Sequence, residues 1–351
     1  MSELNEELKS DLDSLVNLVT EYREGKGRTD VEFHSRFEFA VNPRDLSKFS
    51  PLPRHASPSR IRVLAVDCGA RPLMKAQDVQ VRLLRAAYAL FDFSEYPKGS
   101  FIEWGANERI KTALAPDINY KFHDMQLETE CEIAARQLDK LQEGDYVLLD
   151  GAGFFGGFRH FRKQLLDTCS SKNLKLLCIS KRTEQITDSL GHDAMPSILR
   201  NSRSTGHSCW VYFPVREAEH VRHLFSDVSV VKLSPSSERI FRCDVPDYLR
   251  PLYDTEASEL GQSKAKFGPV SLLSSLTTLC NDARCVGYPA PLYVAHSFTE
   301  IPRPKWLWYY SMRNDWLADA GLLDYVRDLE FIGSFADELH NISPWEERRI
   351  E

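Results

Sequence analysis

The stretch that decides the fold is Ile61-Arg-Val-Leu-Ala-Val-Asp67-Cys-Gly69, an apolar β-run that ends in an acid and a glycine. A second run, Asp145-Tyr-Val-Leu-Leu-Asp150, also ends in an aspartate before glycine. A carboxylate at the end of a buried strand is costly unless it is paired or binds a metal ion. For either aspartate alone a turn cap is the plainer interpretation, because Asp before Gly is common in tight turns. Two such strands with an acidic helix between them form a more specific pattern.

The segments around these runs alternate between strand and helix patterns. Residues 79–93 are apolar enough for a second strand or a buried helix, and periodicity alone does not separate the two. Residues 125–143 predict a helix, with Leu127, Cys131 and Leu138 on its apolar face. Another helix is expected near 158–171, further strands at 174–181, 208–215, 228–233 and 240–245, and mostly helices after Ser258. This alternation indicates the α/β class with some antiparallel strands.

The N-terminal segment 3–24 has leucines at the spacing of an amphipathic helix, with acids and lysines between them. Such a helix either packs on its own domain or contacts a second copy of the chain. A proline-rich loop at 43–58 follows. We therefore predict an N-terminal helix and linker over 1–58, a main domain over 59–300 and a helical extension over 301–351.

The composition is that of a globular protein. The chain has 351 residues, of which 42% are apolar, and its 19 Phe, 13 Tyr and 6 Trp exclude a disordered chain. The net charge of −7 argues against non-specific coating of nucleic acid but leaves room for a local basic channel. No apolar stretch approaches the ~20 residues of a membrane helix, and the acidic N-terminus is not a secretory signal. The eight cysteines form no CxxC pair, so we expect reduced thiols in a cytoplasm.

The acids predict metal chemistry. Glu128, Glu130 and Glu132 lie on the helix that precedes the second acidic strand. A strand Asp, a helix Glu and a second strand Asp is the order found in ribonuclease H-like nucleases. Mg²⁺ and Mn²⁺ are commonly held by a few carboxylates. Two such ions activate water and stabilise the leaving oxygen in phosphodiester cleavage.

Five motifs in order resemble the NurA nucleases, the DNA-end-processing partners of HerA-type hexameric ATPases. The likeness spans about residues 60–300, and its most distinctive part is the GYPxPL segment at 287–292. The first motif has Asp-Cys-Gly where the family usually has Asp-Gly-Ser, so the turn after Asp67 is expected to differ. The motifs are Leu64-Ala-Val-Asp67-Cys-Gly, Val147-Leu-Leu-Asp150-Gly-Ala, Cys178-Ile-Ser-Lys181-Arg182, Val230-Val-Lys-Leu with Ile240-Phe-Arg-Cys-Asp244, and Gly287-Tyr-Pro-Ala-Pro-Leu-Tyr-Val-Ala-His296.

The resemblance implies a ribonuclease H-like core, with a mixed β-sheet flanked by helices. It also implies a homodimer that docks onto a HerA-like ATPase. The activity it implies is a nuclease dependent on one or two Mn²⁺ or Mg²⁺ ions. Such an enzyme degrades DNA ends 5′ to 3′ and cuts single strands internally.

The resemblance also implies which residues carry the reaction. Asp67 and Asp150 would bind the metal together with a helix glutamate. We choose Glu132 for that position, with Glu128 as second choice and Glu130 as third. His296 would complete the metal site or transfer a proton, and Lys181 would offset phosphate charge.

Basic residues near the glycine loop are the candidate DNA contacts. The stretch Arg159-His-Phe-Arg162-Lys163 mixes cations with aromatic rings, which suits phosphate contacts and base stacking. Arg182 is assigned to the same role. The plainer interpretation of the stretch is the exposed face of an amphipathic helix. The aromatic tail from Trp306 to Trp316 is expected in the core or at an interface, and less readily as a stacking platform for single-stranded DNA.

Two other functions stay open. Gly151-Ala-Gly153-Phe-Phe-Gly156 fits the dinucleotide fingerprint after a strand, but Lys181 and Arg182 stand where its acid is expected, which suits at best an NADP-binding oxidoreductase. The altered motif at Asp67 also allows a catalytically silent NurA-like scaffold for an ATPase. The pairs at His220 and His223 and at cysteines 280 and 285 are weak metal patterns without further ligands in view. Tyr288 is expected to be a turn packing residue.

Overall fold

The structure is a computed structural model that describes residues 5–26, 39–53, 61–93, 100–151, 160–181, 186–259 and 268–339. Its helices are α1 (Glu6–Arg23), α2 (Ile118–Ala135), α3 (His160–Ser171), α4 (Met195–Ser202), α5 (Arg250–Glu259), α6 (Val270–Leu276), α7 (Ala290–Phe298), α8 (Arg303–Asp319) and α9 (Leu323–Leu339). Its strands are β1 (Phe39–Ala40), β2 (Phe49–Pro51), β3 (Arg62–Lys75), β4 (Val79–Asp92), β5 (Ser100–Leu114), β6 (Tyr146–Asp150), β7 (Lys175–Ser180), β8 (Ile186–Thr187), β9 (Trp210–Arg216), β10 (Ser226–Lys232) and β11 (Phe241–Pro246). None of the helices in these ranges is long and apolar enough to cross a membrane.

One mixed sheet of nine strands organises the molecule, in the order β2-β9-β10-β11-β7-β6-β3-β4-β5. Strands β3, β4 and β5 form an antiparallel meander. Strands β6 and β7 run parallel to β3 on its other side, joined by the crossover helix α3. The order β5-β4-β3-β6-β7 with these directions is that of a ribonuclease H-like core. The predicted α/β class, with a mixed sheet flanked by helices, is confirmed.

The meander decides the fold of residues 79–93, which the sequence pattern left open, and it differs from the sequence-based expectations in the end of β3 and in the presence of β5. Residues 79–92 form β4 and not a buried helix, because β4 lies between two strands and both of its faces are largely covered. The prediction of a turn after Asp67 is wrong. Strand β3 leaves β6 after Val66 but continues beside β4 as far as Lys75. Strand β5 was not predicted, since its first half is exposed and polar residues interrupt its apolar pattern.

Helices cover both faces of the sheet. Helices α2 and α3 pack on one face, over the alternate side chains of β3, β6 and β7. Helices α6 and α7 pack on the opposite face. Helix α2 begins earlier than the sequence pattern predicted, at Ile118, and ends at Ala135, where the separate 3₁₀ turn Leu138–Lys140 follows.

Helix α1 packs on its own domain, as the plainer interpretation of its pattern predicted. Its buried side chains, which include Leu12 and Leu15, lie in one apolar cluster with residues of β4, and the helix contacts β5 and α8. Trp306 of α8 is buried in the same cluster, as expected for a core residue, whereas Trp308 is exposed. A contact of α1 with a second copy and the boundaries at 58 and 300 stay predictions.

A buried carboxylate ties α1 to the edge strand. Asp11 accepts two hydrogen bonds from Arg109, at 2.7 and 2.9 Å, and a third from the backbone N–H of Ile110 at 3.1 Å. The last of these satisfies a backbone donor on the open edge of β5, which would otherwise be free to pair with another strand. Asp11 therefore both docks α1 and protects the edge.

We expect the Asp11→Ala variant to lower the free energy of unfolding by about 3 kcal/mol, because it leaves the half-buried Arg109 without its main partner. Urea denaturation followed by circular dichroism measures the loss. The Glu21→Ala variant is the control, since Glu21 is exposed on the same helix. Equal stability of the two variants would contradict the docking role of Asp11.

Candidate metal centre

The pairing of β3 with β6 brings two carboxylates together. The parallel register ends at Val66 opposite Leu149, so the next residue on each strand is an aspartate, Asp67 and Asp150. Because the carboxyl ends of parallel strands lie at the same edge, these side chains are neighbours. Asp67 is 8% exposed, and its Oδ1 accepts the backbone N–H of Cys68 at 2.8 Å. The prediction that both strand-end acids share one site agrees with this placement.

Helix α7, which packs on the face of the sheet opposite α2, adds a histidine to the site. A Cβ on Gly69 would lie 2.9 Å from the carbonyl oxygen of Thr299, so only glycine lets the end of α7 approach β3 this closely. His296 is thereby held with its Nδ1 2.5 Å from Oδ2 of Asp67. Potential ligand atoms of Asp67, Asp150 and His296 all lie within 4.8 Å of one another.

Glu130 supplies a third carboxylate from α2. Its side chain is only 3% exposed, and the backbone N–H of Asp150 donates to it. Burial raises the pKa of Glu130 well above its usual range, and the charges of Asp67 and Asp150 raise it further. One of its oxygens, Oε1, is buried with no hydrogen-bond partner among the residues that the structure describes. A buried carboxylate oxygen without a protein partner is unusual, and its lone pairs are available to a cation.

The helix glutamate that faces the aspartates is therefore Glu130, in place of our first choice Glu132. Glu132 points toward β5, where its carboxylate lies 3.4 Å from Arg109, and its side chain is 38% exposed. Glu128 is half-buried on the same helix, two residues before Glu130. Successive helical residues are about 100° apart, so a difference of two positions turns a side chain to the other side of α2.

Lys181 and Tyr288 complete the surroundings of Asp150. Lys181 donates from Nζ to Oδ2 of Asp150 at 2.5 Å, and the same ammonium lies 4.9 Å from the centre of the Tyr288 ring. Tyr288 is 4% exposed, so it does pack in the turn, but its hydroxyl also lies beside Asp150. The predicted role of Lys181 is to offset phosphate charge, and its position beside Asp150 is the one that this role requires. That role stays a prediction.

The electrostatics of the cluster favour a bound cation. Burial raises the pKa of Asp150, and the charge of Asp67 adds to the rise, while Lys181 counteracts it. The hydrogen bond to Asp67 raises the pKa of His296 despite its partial burial. Carboxylates that raise one another's pKa are relieved by a divalent ion, which replaces protons as the source of positive charge. Three carboxylates, one of them with an unpartnered buried oxygen, and one imidazole fit Mn²⁺ or Mg²⁺.

The structure describes only some of the residues that are predicted to contact DNA. Arg162 is 8% exposed on the inner side of α3, where its charge lowers the pKa of Glu130. That placement contradicts a surface contact of Arg162 with DNA. Lys163 is exposed and pairs with Asp167 one turn later. Arg159 and Arg182 lie outside the described ranges, as does the glycine loop from 152 onward, so these predictions stay open.

The weaker metal patterns gain nothing from the structure. His220 pairs with Asp247, and His223 follows in a left-handed conformation with φ 57°. Cys280 and Cys285 are buried thiols. Within the ranges that the structure describes, none of these four residues belongs to a group of three potential ligands.

No protein-family profile matches the sequence, and no curated protein aligns with it significantly. Among solved structures, the chain is similar to Ciona intestinalis endonuclease V bound to a DNA containing inosine and ribo-adenosine, with a TM-score of 0.38, 12% identity and coverage of 84% of this chain and 97% of that one. It is similar to the catalytic domain of human endonuclease V, with a TM-score of 0.37, 13% identity and coverage of 88% and 98%. It is also similar to Marinitoga piezophila Argonaute with guide RNA and target DNA, with a TM-score of 0.31, 12% identity and coverage of 70% and 30%. Likenesses this weak say nothing about what the protein binds or cleaves.

Proposed function

We propose that the protein is a metal-dependent nuclease that hydrolyses phosphodiester bonds in DNA. The observation that carries this proposal is the group of Asp67, Asp150 and His296, whose ligand atoms lie within 4.8 Å of one another at the carboxyl ends of two parallel strands. We assign Glu130, whose charge interacts with those of both aspartates, as a fourth ligand. Such a set of oxygen and nitrogen donors suits Mn²⁺ or Mg²⁺ better than a purely structural zinc site, which favours thiolates and imidazoles.

Each residue has a defined task in this proposal. Asp67, Asp150 and Glu130 hold one or two ions, and His296 either joins them or keeps the Asp67 carboxylate oriented through its Nδ1 contact. When bound, divalent ions of this kind activate water and stabilise the charge on the leaving oxygen. Lys181 is the exposed cation at the rim, where it neutralises Asp150 in the absence of substrate and is available to a phosphate in its presence.

The finer assignment rests on the sequence motifs. The five NurA-like motifs favour a cytoplasmic enzyme that degrades DNA ends 5′ to 3′ and cuts single strands. They also favour a homodimer that works with a HerA-like hexameric ATPase in DNA end processing, in repair or in defence against foreign DNA. The chain has no GxxxxGK[ST] motif, so ATP-driven movement along DNA would have to come from such a partner.

The first experiment incubates the purified protein with end-labelled linear single- and double-stranded DNA, with Mn²⁺, Mg²⁺ or EDTA. We expect cleavage with Mn²⁺ or Mg²⁺ and none with EDTA. A thermal melt with and without Mn²⁺ gives a second readout, independent of activity. At 100 times its Kd, a metal that binds only the folded chain stabilises it by about 2.7 kcal/mol.

The two readouts separate the proposals. Neither cleavage nor thermal stabilisation by either metal would overturn the metal-centre assignment. Stabilisation without cleavage, even when a HerA-like ATPase is added, would favour the silent scaffold instead.

A further inference from the structure

Two loops meet beside the metal centre, one over residues 233–240 and the other over 281–289. Gly287 has φ 93°, and a Cβ on it would lie 2.6 Å from the Ser237 hydroxyl and 3.6 Å from Cβ of Arg239. Ser234 also donates to Asn281 at 3.2 Å. The loops are therefore in direct contact, and Arg239 lies next to the residue that precedes Tyr288.

The second loop also fixes an arginine over a tyrosine. Arg284 lies with its guanidinium carbon 5.7 Å from the centre of the Tyr293 ring. Asp282 holds this guanidinium through Nε and Nη2, at 3.0 and 2.8 Å. That arrangement leaves Nη1 without a hydrogen bond to any described residue, so it is available to donate to a ligand. A guanidinium held flat in this way presents its remaining N–H groups in a fixed direction.

Tyr293 lies close to the reacting centre. It comes one helical turn before His296 on α7, and residues at this spacing are neighbours on a helix surface. Tyr293 is half-buried and His296 is exposed, whereas Leu292 and Ala295 on the other side of the helix are buried against the sheet. The aromatic ring and the metal-centre histidine therefore share the outer side of α7.

The two arginines share one neighbourhood. Burial and Asp282 raise the pKa of the Cys285 thiol, while the charges of Arg284 and Arg239 lower it. Both positive charges therefore lie around this residue. Arg239 is exposed, and its guanidinium has no ion pair or hydrogen bond to the described part of the chain. An unpaired arginine beside a fixed arginine and a half-exposed tyrosine is a local basic and aromatic surface on an acidic protein.

We infer that Arg239, Arg284 and Tyr293, here called the rim cluster, bind single-stranded DNA on one side of the bond that is cleaved, an inference that rests on the proposed nuclease function. The arginines contact backbone phosphates, and a base packs on the part of the Tyr293 ring that Arg284 and the core leave exposed. A base is free to stack in this way only when it is unpaired, so the rim cluster selects single strands over duplex. It supplies the local basic channel that an acidic chain needs in order to bind DNA.

The test measures binding in EDTA, where no cleavage occurs. The full chain is titrated into 5′-fluorescein-labelled oligothymidylate and fluorescence anisotropy is recorded at several salt concentrations. We expect Arg239→Gln and Arg284→Gln each to weaken binding several-fold and to reduce the salt slope by about one. We expect Tyr293→Ala to weaken binding about tenfold with an unchanged slope, and Tyr293→Phe to bind nearly as wild type.

Matched controls make the outcome specific. Arg23→Gln removes an exposed arginine from the last turn of α1, which packs on β5 at the opposite edge of the sheet, and should bind as wild type. The wild type should bind an abasic oligonucleotide more weakly than oligothymidylate. The Tyr293→Ala variant and the wild type should bind the abasic oligonucleotide with equal affinity. Wild-type affinity in all three rim variants, or an equal loss for Tyr293→Ala on blunt duplex DNA, would overturn the inference.

The inference and the proposed function fail in different ways. Metal-dependent cleavage with unchanged binding and KM in the rim variants would support the nuclease function and contradict the role of the rim cluster in binding. Weakened binding in these variants without any cleavage by the wild type would establish the single-strand site and remove the nuclease.

Discussion

The Asp67→Ala and Asp150→Ala variants are expected to lose metal-dependent DNA cleavage by about 10³-fold or more. Each change removes a ligand from a site that has only a few, and a loss of about 4 kcal/mol in transition-state stabilisation corresponds to this factor. The measurement is the rate of release from end-labelled single-stranded DNA at saturating Mn²⁺. Stabilisation by Mn²⁺ in a thermal melt should disappear in the same variants.

Loss of folding would mimic this result, and the metal-free melt separates the two. Because Asp67 raises the pKa of Asp150, removing one carboxylate relieves repulsion. The metal-free variants should therefore melt at or above the wild-type temperature. Asp315→Ala removes an exposed acid from α8 and should keep full activity. Cleavage at the wild-type rate by both Asp67→Ala and Asp150→Ala would contradict the mechanism.

The Glu130→Gln variant is expected to lower cleavage by about 10²-fold, while Glu132→Gln stays within about threefold of wild type. Glu130 is buried beside the aspartates with an unpartnered oxygen, whereas Glu132 lies at the surface near Arg109. Both changes keep the size and hydrogen-bonding shape of the side chain, so the pair forms a matched comparison on one helix. Single-turnover cleavage at several Mn²⁺ concentrations separates weaker metal binding from slower chemistry.

The same pair of variants tests the structure against the sequence-based choice. A large loss in Glu132→Gln with a normal Glu130→Gln would restore the original assignment of the helix glutamate. It would also mean that α2 is rotated relative to the sheet. Equal and small effects in both variants would leave Asp67, Asp150 and His296 as the complete set of protein ligands.

The sequence contains a signal that identifies the buried glutamate of α2. Leu127, Cys131 and Ala134 mark the buried side of α2 at i, i+4 and i+7, and Glu130 falls at i+3 on that same side. An acid within an apolar stripe was therefore a readable signal of a buried carboxylate. Glu132 lies two positions further along, so the same stripe places it away from the sheet.

The sequence by itself determined the first half of β3, the strand β6 and the acids at the end of their pairing, because a buried strand is a short apolar run and a charged residue interrupts it visibly. It likewise determined α1, whose leucines repeat with the helical period. These are local properties, so they are legible without knowledge of what packs where.

Only the tertiary structure decided the rest. Strand β5 is held by pairing with β4 and by the docking of α1 at its edge, and neither contact leaves a clear local pattern. The proximity of His296 to Asp67 depends on Gly69 and Thr299, which are far apart in the chain. The same holds for Arg239 beside Gly287. Contacts between distant segments arise only when the sheet and helices are assembled, because burial and charge pairing depend on which partner each surface meets.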